Sequence, residues 1–590
     1  MGNSHVCVLL TSTNLKCWGY GYLGQLGRGS TIDIGDGPSE MGDALPLLDF
    51  DGVTPTVTNT PAETNTSTLT STPTSTRTAS KTLTRSKTLT RSKTKTKTRT
   101  PTKSKTPTRT PVGYVSRVQL IASGAVHTCA LLASSVVKCW GLNDNGQLGA
   151  GNTAARGDAV GEMANALPSV DLGTGVIAKK IYAGSSHTCV LTTTNQVKCW
   201  GQNDAGQLGI GDADNRGDAF GEMGDALPFV NLGSGMTATE LTIGSRFTCA
   251  LLTTGSVVCW GTNDNGQMGI GSTDTIGDNS GEMGDALVAV DLGTGRTALS
   301  TVASAYSVCA ILDNATIKCW GNNSVGQLGL GDTASRGDNS SEMGDYLLAL
   351  PFAADLTPVE LATSSYNVCA RFDNGTIRCW GRGDNADLGN GDSSIQGNDT
   401  GELAALTAID LGSGHTAKRV FGSAYSGFCV ILDDDALKCW GSNSDANLGI
   451  GISSGDTKWG NAAGEMGDSL PTIDLGTGVT VTTLSAGSLF RCAILKYSTA
   501  VKCWGVNDAG QLGHESTYAA WGEYPDATMG DYLPILRLGA IVPSTVTPTP
   551  TKTKTYTRTL SPSRTKSPTK TLSPTKTATR TATASATPIP

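Results

Sequence analysis

Residues 241–261 read LTIGSRFTCALLTTGSVVCWG and contain the pattern that decides the fold. Two short apolar runs flank the triplet Thr-Thr-Gly at positions 253–255. This arrangement predicts a β-hairpin with a three-residue loop, in which Gly255 adopts the left-handed conformation. Counting outward from the closing pair places Cys249 opposite Cys259, on a pair whose Cα atoms are about 4.5 Å apart. We therefore expect the two cysteines to lie within disulfide distance.

The same hairpin pattern, ending in Cys-Trp-Gly, occurs eight times along the chain. In the main run the copies follow one another at intervals of 60 residues, and together the eight copies use all 16 cysteines. The pairs are Cys7 with Cys17, Cys129 with Cys139, Cys189 with Cys199, Cys249 with Cys259, Cys309 with Cys319, Cys369 with Cys379, Cys429 with Cys439, and Cys492 with Cys503. A fixed period of this size is typical of a stacked or ring-shaped repeat fold.

Each repeat contains short strands separated by turns. After the hairpin come a polar turn (for example residues 263–269), an acidic loop and a run such as residues 167–173. A further strand, such as residues 179–182, precedes the next cysteine, so we expect about four strands a repeat. Seven such repeats between residues 112 and 542 predict an all-β, seven-bladed β-propeller, because closing the ring protects the strand edges. A β-solenoid usually has a shorter period.

Segments rich in Thr, Ser, Pro and Lys divide the chain into four parts. Residues 1–53 hold one repeat, residues 54–111 form a linker, residues 112–542 hold seven repeats, and residues 543–590 form a tail similar to the linker. The linker and the tail contain 20 of the 44 basic residues and 1 of the 51 acidic residues, so the repeats are acidic. Both segments have few apolar residues, and we expect them to be extended.

Residues 1–53 begin inside a repeat, past the strand that should precede the hairpin. They end, like the seventh repeat of the ring, in a Leu-Pro run that a Thr/Pro-rich segment follows at once. We therefore expect them to be the last blade of an upstream propeller in a longer, tandem chain, which would also account for the missing signal peptide. The alternative is an eighth blade docked on the ring, for which the linker would have to loop back.

The chain resembles the regulator of chromosome condensation repeat family. The matching stretches are HTCALL at 127–132, VKCWGLNDNGQLGAG at 137–151 and VKCWGQNDAGQLGIG at 197–211. The resemblance covers residues 112–542 and most of residues 1–53, and it implies a seven-bladed propeller. The best-known activity of the family is nucleotide exchange on a small nuclear GTPase, with chromatin binding. No residues matching that activity occur here, and the paired cysteines depart from the pattern of the nuclear member.

The cysteines have three interpretations. Zinc sites need Cys and His at short spacing, whereas this chain has five His and no Cys-x-x-Cys pair. Reduced, buried thiols are the second interpretation. Cross-strand disulfides are the third and the favoured one, and each would close a short loop worth roughly 2–3 kcal/mol. Disulfides would indicate an oxidising compartment.

Neither a catalytic set nor a cofactor-binding or metal-ligating set emerges from the sequence. His5, His127 and His187 share one repeat position, and we expect them to be structural because Phe247 and Phe490 occupy that position in other blades. The tryptophan after the second cysteine is expected to pack between blades.

Two loop motifs suggest ligands, each beside a simpler interpretation. Arg-Gly-Asp at 156–158, 216–218 and 336–338 is the tripeptide that integrins bind, but Ile276 replaces the arginine in another blade, which favours a plain Gly-Asp turn. The acidic loops offer hard oxygen ligands for Ca²⁺, although solvated acidic loops are commoner. The calcium candidates are Asp218, Glu222, Asp225, Asp278, Glu282 and Asp285.

The glycosylation pattern Asn-x-Ser/Thr occurs in the linker and in the ring. The candidate positions are Asn65, Asn314, Asn322, Asn339, Asn374 and Asn398, of which several are expected to be chance matches. The Ser/Thr/Pro bias of the linker and tail is typical of O-glycosylated stalks. Their basic residues could also contact nucleic-acid phosphates, but aromatic residues for base stacking are not interleaved with them.

These features predict an extracellular structural or adhesive protein of a surface coat, stalk or fibre, which binds protein partners or self-assembles. Glycans on the linkers are expected, and cofactors, nucleic acid, enzymatic activity and a membrane span are not; no apolar run approaches the roughly 20 residues that cross a bilayer. The alternative is an intracellular propeller that binds a protein such as a small GTPase, with basic tails near nucleic acid. A glycan-processing enzyme lacks candidate residues.

Overall fold

The structure, a computed structural model, is an all-β propeller. It describes residues 5–9, 15–19, 114–115, 117–425, 427–451, 458–515, 520–521, 529–536, 538 and 540–541. Within these residues, seven antiparallel sheets follow one another along the chain, one for each repeat of the ring. They are the seven blades predicted from the period, and we number them 1 to 7 in chain order.

Three antiparallel strands form the body of every blade. The first strands are Val118–Ser123, Ala178–Ala183, Ala238–Ile243, Ala298–Ala303, Pro358–Thr363, Ala417–Gly422 and Val481–Ala486. The second strands are His127–Leu132, His187–Thr192, Phe247–Leu252, Ser307–Leu312, Asn367–Phe372, Phe428–Leu432 and Phe490–Leu495. The third strands are Val137–Gly141, Val197–Gly201, Val257–Gly261, Ile317–Gly321, Ile377–Gly381, Leu437–Ser442 and Val501–Val506.

Helical structure among the described residues is limited to single turns. One α-helical turn spans Glu402–Ala405. The 3-10 turns are Gly224–Ala226, Gly284–Ala286, Gly344–Tyr346, Gly467–Ser469 and Gly530–Tyr532. None of the described helices is long and apolar enough to cross a bilayer.

The fourth strand of the repeat is much shorter than the sequence predicts. It has two residues in blade 6, Lys458–Trp459, and two in blade 7, Ala520–Trp521. In blades 1–5 a single bridge replaces it, as between Gly141 and Arg156. Gly141 has a φ of 106°, which turns the third strand away before a longer ladder forms. The run at 167–173, which the sequence led us to expect as a strand, is extended but is not a strand. It bonds to the third strand of its own blade from Val170 N to Val137 O at 2.9 Å and from Lys138 Nζ to Leu167 O at 2.8 Å.

The hairpins between second and third strands have the predicted register. Leu252 N donates to Ser256 O at 2.8 Å, and Gly255 closes the loop with a φ of 82°. Cys249 therefore lies opposite Cys259. In blade 7 the additional residue enlarges the loop, as expected.

The hydrophobic core lies between blades. Along the second strand of blade 3, Cys249 and Leu251 pack against blade 4, whereas Ala250 and Leu252 pack against blade 2. Since both faces of the strand are covered, all six of its residues are buried. This explains why the strand sequence is almost continuously apolar and does not alternate.

The seven tryptophans that follow the second cysteine in the ring are buried between blades, as predicted, and six of them bond to the preceding blade. Trp200 is fully buried, and its Nε1 donates to the backbone oxygen of Gln147 at 3.0 Å. Asn143 presents that oxygen by folding the polar turn, because its Oδ1 accepts a bond from Leu148 N at 2.9 Å. Trp260 makes the same contact with Gln207 at 3.0 Å.

A lysine of the third strand holds the extended run and the following turn to the blade. Lys198 Nζ donates to Leu172 O at 2.8 Å and to Gly224 O at 2.9 Å. Lys198 is buried, and this burial lowers its pKa. Lysines at 318, 438 and 502 make the equivalent pairs of bonds, whereas Lys138 Nζ donates to Ala164 O and Leu167 O of its own repeat.

The ring closes directly between blades 7 and 1. Trp140 Nε1 donates to Gln511 O at 2.9 Å, in the same way as at the other junctions. A two-stranded ladder joins Tyr114–Val115 to Ala540–Ile541. Blade 7 thus packs on blade 1 through a shared core.

The repeat at the start of the chain is described as a hairpin of backbone only, His5–Leu9 paired with Leu15–Gly19. Cys7 lies opposite Cys17 in its register. The expected domain boundaries, the linker and the tail lie outside the described residues, as does the expectation of an upstream propeller.

Candidate functional site

The first strands converge on the propeller axis, where the turns that follow them enclose a cavity of about 190 Å³. Its described lining consists of Gly, Ala, Ser, Thr and Ile residues from all seven blades. These lining residues carry neither carboxylate nor imidazole, amine or thiol groups. The cavity therefore offers neutral hydrogen bonds and small apolar surfaces, and its described lining contains neither a general base nor a metal ligand.

Many of the polar groups around the cavity join neighbouring blades. Ser185 Oγ and Ser245 Oγ are 2.9 Å apart, and Ser123 N donates to Ser485 Oγ at 2.8 Å. Ser365 Oγ donates to the backbone oxygen of Ala424 at 2.6 Å. These bonds hold the rim of the cavity as a rigid ring, on which the outward-facing turn residues are mounted.

Three tyrosines stand on successive turns at this rim. Tyr306, Tyr366 and Tyr425 occupy the same turn position in blades 4, 5 and 6, and we call them the tyrosine crescent. Tyr425 is 51% exposed and Tyr306 is 37% exposed, and Tyr366 is half-buried. The rings of Tyr306 and Tyr366 lie with their centroids 5.9 Å apart. Two rings of the crescent thus contact each other beside the mouth of the cavity, and the third stands on the next blade.

An arginine completes the crescent. The guanidinium of Arg382 lies 5.7 Å from the ring centroid of Tyr366, within reach of a cation–π interaction. A hydrogen-bonded ion pair with Asp384 raises the pKa of Arg382, and Lys458 Nζ donates to the backbone oxygen of Asp384 at 2.5 Å. Tyrosine and arginine are the residue types enriched in the energetic centres of protein interfaces.

The sequence interpretation missed this surface, although a signal was present. When the repeats are aligned on the last residues of their first strands, the third position after each strand varies from blade to blade. It is occupied by Val126, Ser186, Arg246, Tyr306, Tyr366, Tyr425 and Leu489 in blades 1 to 7. A column in which three neighbouring repeats share an exposed aromatic residue indicates a local surface on an otherwise symmetric ring.

The histidines predicted to be structural are buried beneath the cavity. His127 Nε2 is 2.9 Å from Thr188 Oγ1, and His187 Nε2 is 3.1 Å from Thr248 Oγ1, so each imidazole joins two blades. Burial lowers the pKa of His127 to about 4, and burial together with the nearby His127 lowers that of His187 to about 3. Both are fully shielded from solvent and neutral at physiological pH. The third candidate, His5, has no described side chain.

The side chain at the second-strand position of His127 is matched in size to the turn residue three positions earlier. A Cβ on Gly244 would lie 2.0 Å from Cε1 of Phe247, and a Cβ on Gly124 would lie 2.2 Å from Cε1 of His127. A large ring in the second strand therefore requires glycine in the turn. In blade 4 both residues are serines, Ser304 and Ser307, whose Oγ atoms lie 2.7 Å apart.

The acidic loops use their carboxylates to hold backbone. Glu222 Oε2 accepts bonds from Gly217 N and Ala219 N, each at 2.9 Å. Asp225 accepts bonds from Thr174 N at 2.6 Å and Thr174 Oγ1 at 2.7 Å, and these bonds lower its pKa. The same pattern occurs for Glu282 and Asp285 in blade 3. These oxygens are already used within the protein, so the loops are poorly suited to Ca²⁺.

The Arg-Gly-Asp tripeptides belong to the contact between blades. Gly217 is buried, and a Cβ on it would lie 2.7 Å from Gly146 O of the preceding blade. Arg216 Nη2 is 2.6 Å from Asp212 Oδ2, and one carboxylate oxygen of Asp158 is buried in blade 1. This geometry supports the plain Gly-Asp turn, because a receptor needs both the arginine and the aspartate to be accessible.

The structure joins the cysteines of each blade by a cross-strand disulfide. The seven bonds link Cys129 to Cys139, Cys189 to Cys199, Cys249 to Cys259, Cys309 to Cys319, Cys369 to Cys379, Cys429 to Cys439, and Cys492 to Cys503. Their Cα–Cα distances are 4.0 to 4.1 Å, and every cysteine is at most 3% exposed. No cysteine is free in the part of the chain that the structure describes.

The candidate glycosylation sites of the ring differ in accessibility. Asn314, Asn339 and Asn374 are exposed, whereas Asn322 and Asn398 are half-buried. Asn65 lies outside the described residues.

One group of candidate metal ligands occurs among the described residues. His415, Asp433 and Asp434 place one ligand atom each within 4.8 Å of one another. Asp433 Oδ1 is 3.1 Å from His415 Nδ1 and accepts a bond from Thr416 N, so the group is tied into the hairpin of blade 6. It is exposed and far in sequence from the calcium candidates.

Comparisons with known proteins agree with this architecture. A family model described as "Regulator of chromosome condensation (RCC1) repeat" matches residues 118–147, 178–207 and 239–267. The ultraviolet-B receptor UVR8 of Arabidopsis thaliana is 30% identical over 223 residues, which is 37% of this chain and 45% of the receptor. The human E3 ubiquitin-protein ligase HERC2 is 28% identical over 218 residues, which is 37% of this chain and 4% of the ligase.

Among solved structures, human WBSCR16 is 17% identical, with a TM-score of 0.49, and the match covers 65% of this chain and 88% of that protein. The matches to UVR8 and HERC2 each span less than half the length of those two proteins.

Proposed function

Since this chain belongs to the regulator of chromosome condensation repeat family, we propose that it is a non-catalytic binding propeller of an extracellular structure. In this proposal it is a structural or adhesive protein of a surface coat, stalk or fibre. Its linker and tail carry glycans, and the ring binds a protein partner or another copy of the chain. The partners and activities of the relatives are not transferred, because the shared part is a fraction of each of them.

The observation that carries the proposal is the set of seven buried disulfides, one in each blade. Disulfides persist in oxidising compartments and are rare in the cytosol. Each one closes a loop of about ten residues, which stabilises a hairpin by roughly 2–3 kcal/mol. A stabilising disulfide in every blade supports a location outside the cell.

The tyrosine crescent supplies the adhesive contact in this proposal. Its rings are exposed, they rest on a rigid rim, and Arg382 adds a charged and planar donor beside them. Tyrosine presents a large contact area with few torsions to immobilise, so binding costs little side-chain entropy. The neutral cavity beside it accommodates small or hydroxyl-rich groups of a partner.

The compartment is tested by mapping the cysteines of material taken from the native source. Alkylation without a reductant should leave the 14 cysteines of the ring unmodified. Non-reducing peptide maps should show one disulfide within each blade. The protein should be found in the medium or at the cell surface. Free thiols in freshly isolated, rapidly acidified material would contradict the extracellular proposal.

The adhesive contact is tested with beads that carry the full chain and bind to cells of its source. Replacing Tyr306, Tyr366 and Tyr425 by serine should reduce bead attachment at least about tenfold, the size expected when interface hot spots are removed. The control is a matched triple serine variant at three exposed tyrosines elsewhere, Tyr346, Tyr497 and Tyr532. Equal attachment of the two variants would show that adhesion does not use the crescent.

The absence of catalysis is also a proposal. The match to HERC2 covers 4% of that ligase and gives no support for ligase chemistry in this chain. The alternative function, an intracellular propeller that binds a protein such as a small GTPase, keeps the support of the repeat family itself. Faster release of a fluorescent nucleotide from a small GTPase in the presence of the full chain would favour that alternative.

A further inference from the structure

The hairpin tips of blades 4 and 5 present two asparagines in the same unusual setting. Asn314 Oδ1 accepts bonds from Thr316 N at 3.3 Å and from Thr316 Oγ1 at 2.7 Å. Asn374 Oδ1 accepts the same two bonds from Thr376, at 3.0 and 2.7 Å. Both asparagines are exposed. The two tips are thus superimposable Asx-turns in which the threonine hydroxyl binds the asparagine amide.

The following residue fixes this geometry. Gly375, with a φ of 76°, follows Asn374, and Ala315, with a φ of 61°, follows Asn314. This left-handed residue turns the chain so that the threonine two positions on faces back to the asparagine. The amide oxygen is then used twice, while the amide nitrogen Nδ2 makes no hydrogen bond within the described part of the chain.

The other glycosylation patterns in the ring differ in their burial or in the bonds of their Nδ2, although Asn322 Oδ1 also accepts bonds from the N and Oγ of Ser324. Asn322 is half-buried, its Nδ2 donates to Asn265 Oδ1 at 2.7 Å, and its Oδ1 accepts a bond from Gln327 at 2.6 Å. The Nδ2 of Asn339 donates to Glu342 at 3.3 Å, and Glu342 also holds the backbone of the acidic loop. Attaching a sugar to either nitrogen would break the bond that it donates to its partner.

The fifth pattern lies at a contact between blades. Asn398 is half-buried, and its Oδ1 is enclosed without a partner. The preceding blade approaches it closely, since a Cβ on Gly326 would lie 2.6 Å from Asn398 N. A sugar on this side chain would have to be accommodated at the junction of two packed blades.

We propose that Asn314 and Asn374 carry N-linked oligosaccharides and that Asn322, Asn339 and Asn398 do not. This proposal rests on the extracellular function proposed above. In the reaction, Nδ2 attacks the anomeric carbon of an oligosaccharide carried on a lipid diphosphate. A carbon–nitrogen bond forms, the bond between the anomeric carbon and the phosphate oxygen breaks, the lipid diphosphate leaves, and an Nδ2 proton passes to a base.

The two sites give the ring a glycosylated face and a bare face. In an antiparallel blade, the loop between the second and third strands lies at the opposite end from the turn between the first and second strands. Asn314 and Asn374 occupy the former, and the tyrosine crescent occupies the latter. Oligosaccharides on the two tips therefore cover one end of the propeller and leave the crescent uncovered for a partner.

The test uses the full chain expressed behind a signal peptide in eukaryotic cells, with secreted and retained protein analysed alike. Enzymatic removal of N-glycans in heavy-oxygen water converts each glycosylated asparagine to labelled aspartate, which peptide mass spectrometry then locates. Labels are expected at Asn314 and Asn374. Removing each site with Asn314→Gln or Asn374→Gln should lower the mass by one glycan, and the control Asn322→Gln should not change it.

Two results would overturn the proposal. One is a label at Asn322, Asn339 or Asn398 with an occupancy equal to that at Asn314. The other is the absence of label at both tips in a chain that has passed through the secretory pathway. Failure of the extracellular function itself is read separately, from the thiols and the location of native material, so the two failures are distinguishable.

Discussion

The two buried histidines make the propeller sensitive to acid, and replacing both by phenylalanine should remove this sensitivity. Phe247 and Phe490 already occupy the equivalent position, each over a glycine of the preceding turn. The variant His127→Phe/His187→Phe therefore copies a packing that the protein itself contains. Thr188 loses a partner, but it keeps its bond to Gln147 O at 3.0 Å.

The magnitude follows from the difference in pKa between the two states. The unfolded value is about 6.5, and the folded values are about 4 for His127 and about 3 for His187. Between these values the unfolded chain binds more protons, so the stability is complete above about pH 6.5 and falls as the pH drops towards the folded pKa. At about pH 5 each histidine costs about 2 kcal/mol, or about 4 kcal/mol together.

The assay compares thermal unfolding midpoints at about pH 7.5 and about pH 5. The wild-type midpoint should fall clearly, and that of the double phenylalanine variant should fall much less. The residual fall comes from His514, whose pKa burial also lowers, to about 4. A variant at His415, which is only half-buried, is the control. If the wild type and the double variant lose the same number of degrees, the two imidazoles do not control acid stability and the reasoning is refuted.

Three further predictions concern packing and disulfides. Gly244→Ser should destabilise the ring by about 1–3 kcal/mol through overlap with Phe247, and the loss in the double variant with Phe247→Ser should be smaller than the sum of the two single losses; strictly additive losses in a double-mutant cycle would disprove the coupling. Trp260→Phe should cost about 1–2 kcal/mol more than Trp504→Phe, because Trp260 loses its bond to Gln207 whereas Trp504 Nε1 has no partner among the described residues. Equal losses in denaturant titrations would contradict this. Dithiothreitol should lower the thermal midpoint, because each staple contributes roughly 2–3 kcal/mol; an unchanged midpoint despite complete reduction would exclude a stabilising role.

The fold could be predicted from local chemistry repeated along the chain. A three-residue loop with Gly255, Gly375 or Asn195 at its left-handed position fixes the hairpin register, and the register pairs the cysteines. The length of the fourth strand could not be predicted in the same way. It depends on Gly141 turning the chain away, and in the sequence that glycine resembles any other turn residue.

The candidate surface was not predicted because it arises only when the ring closes. Tyr306, Tyr366 and Tyr425 are about 60 residues apart, and each alone resembles an ordinary aromatic residue in a turn. For the acidic loops the sequence left two interpretations open: a carboxylate such as Glu222 can bind metal or cap backbone, and composition does not distinguish the two. Both questions depend on neighbours that lie far away in the sequence.

The closing ladder also determines how the ring responds to tension. Tyr114 pairs with Ile541, so the two chain segments that enter and leave the ring do so at the same end of the same two-stranded ladder. A load that pulls these two segments apart breaks the hydrogen bonds of the ladder one residue pair at a time. It does not shear all of these bonds at once. Blades 1 and 7 would part first, while the disulfide in each blade keeps its hairpin from extending. In a loaded stalk, the ring would therefore open between blades 1 and 7, and each blade would stay intact.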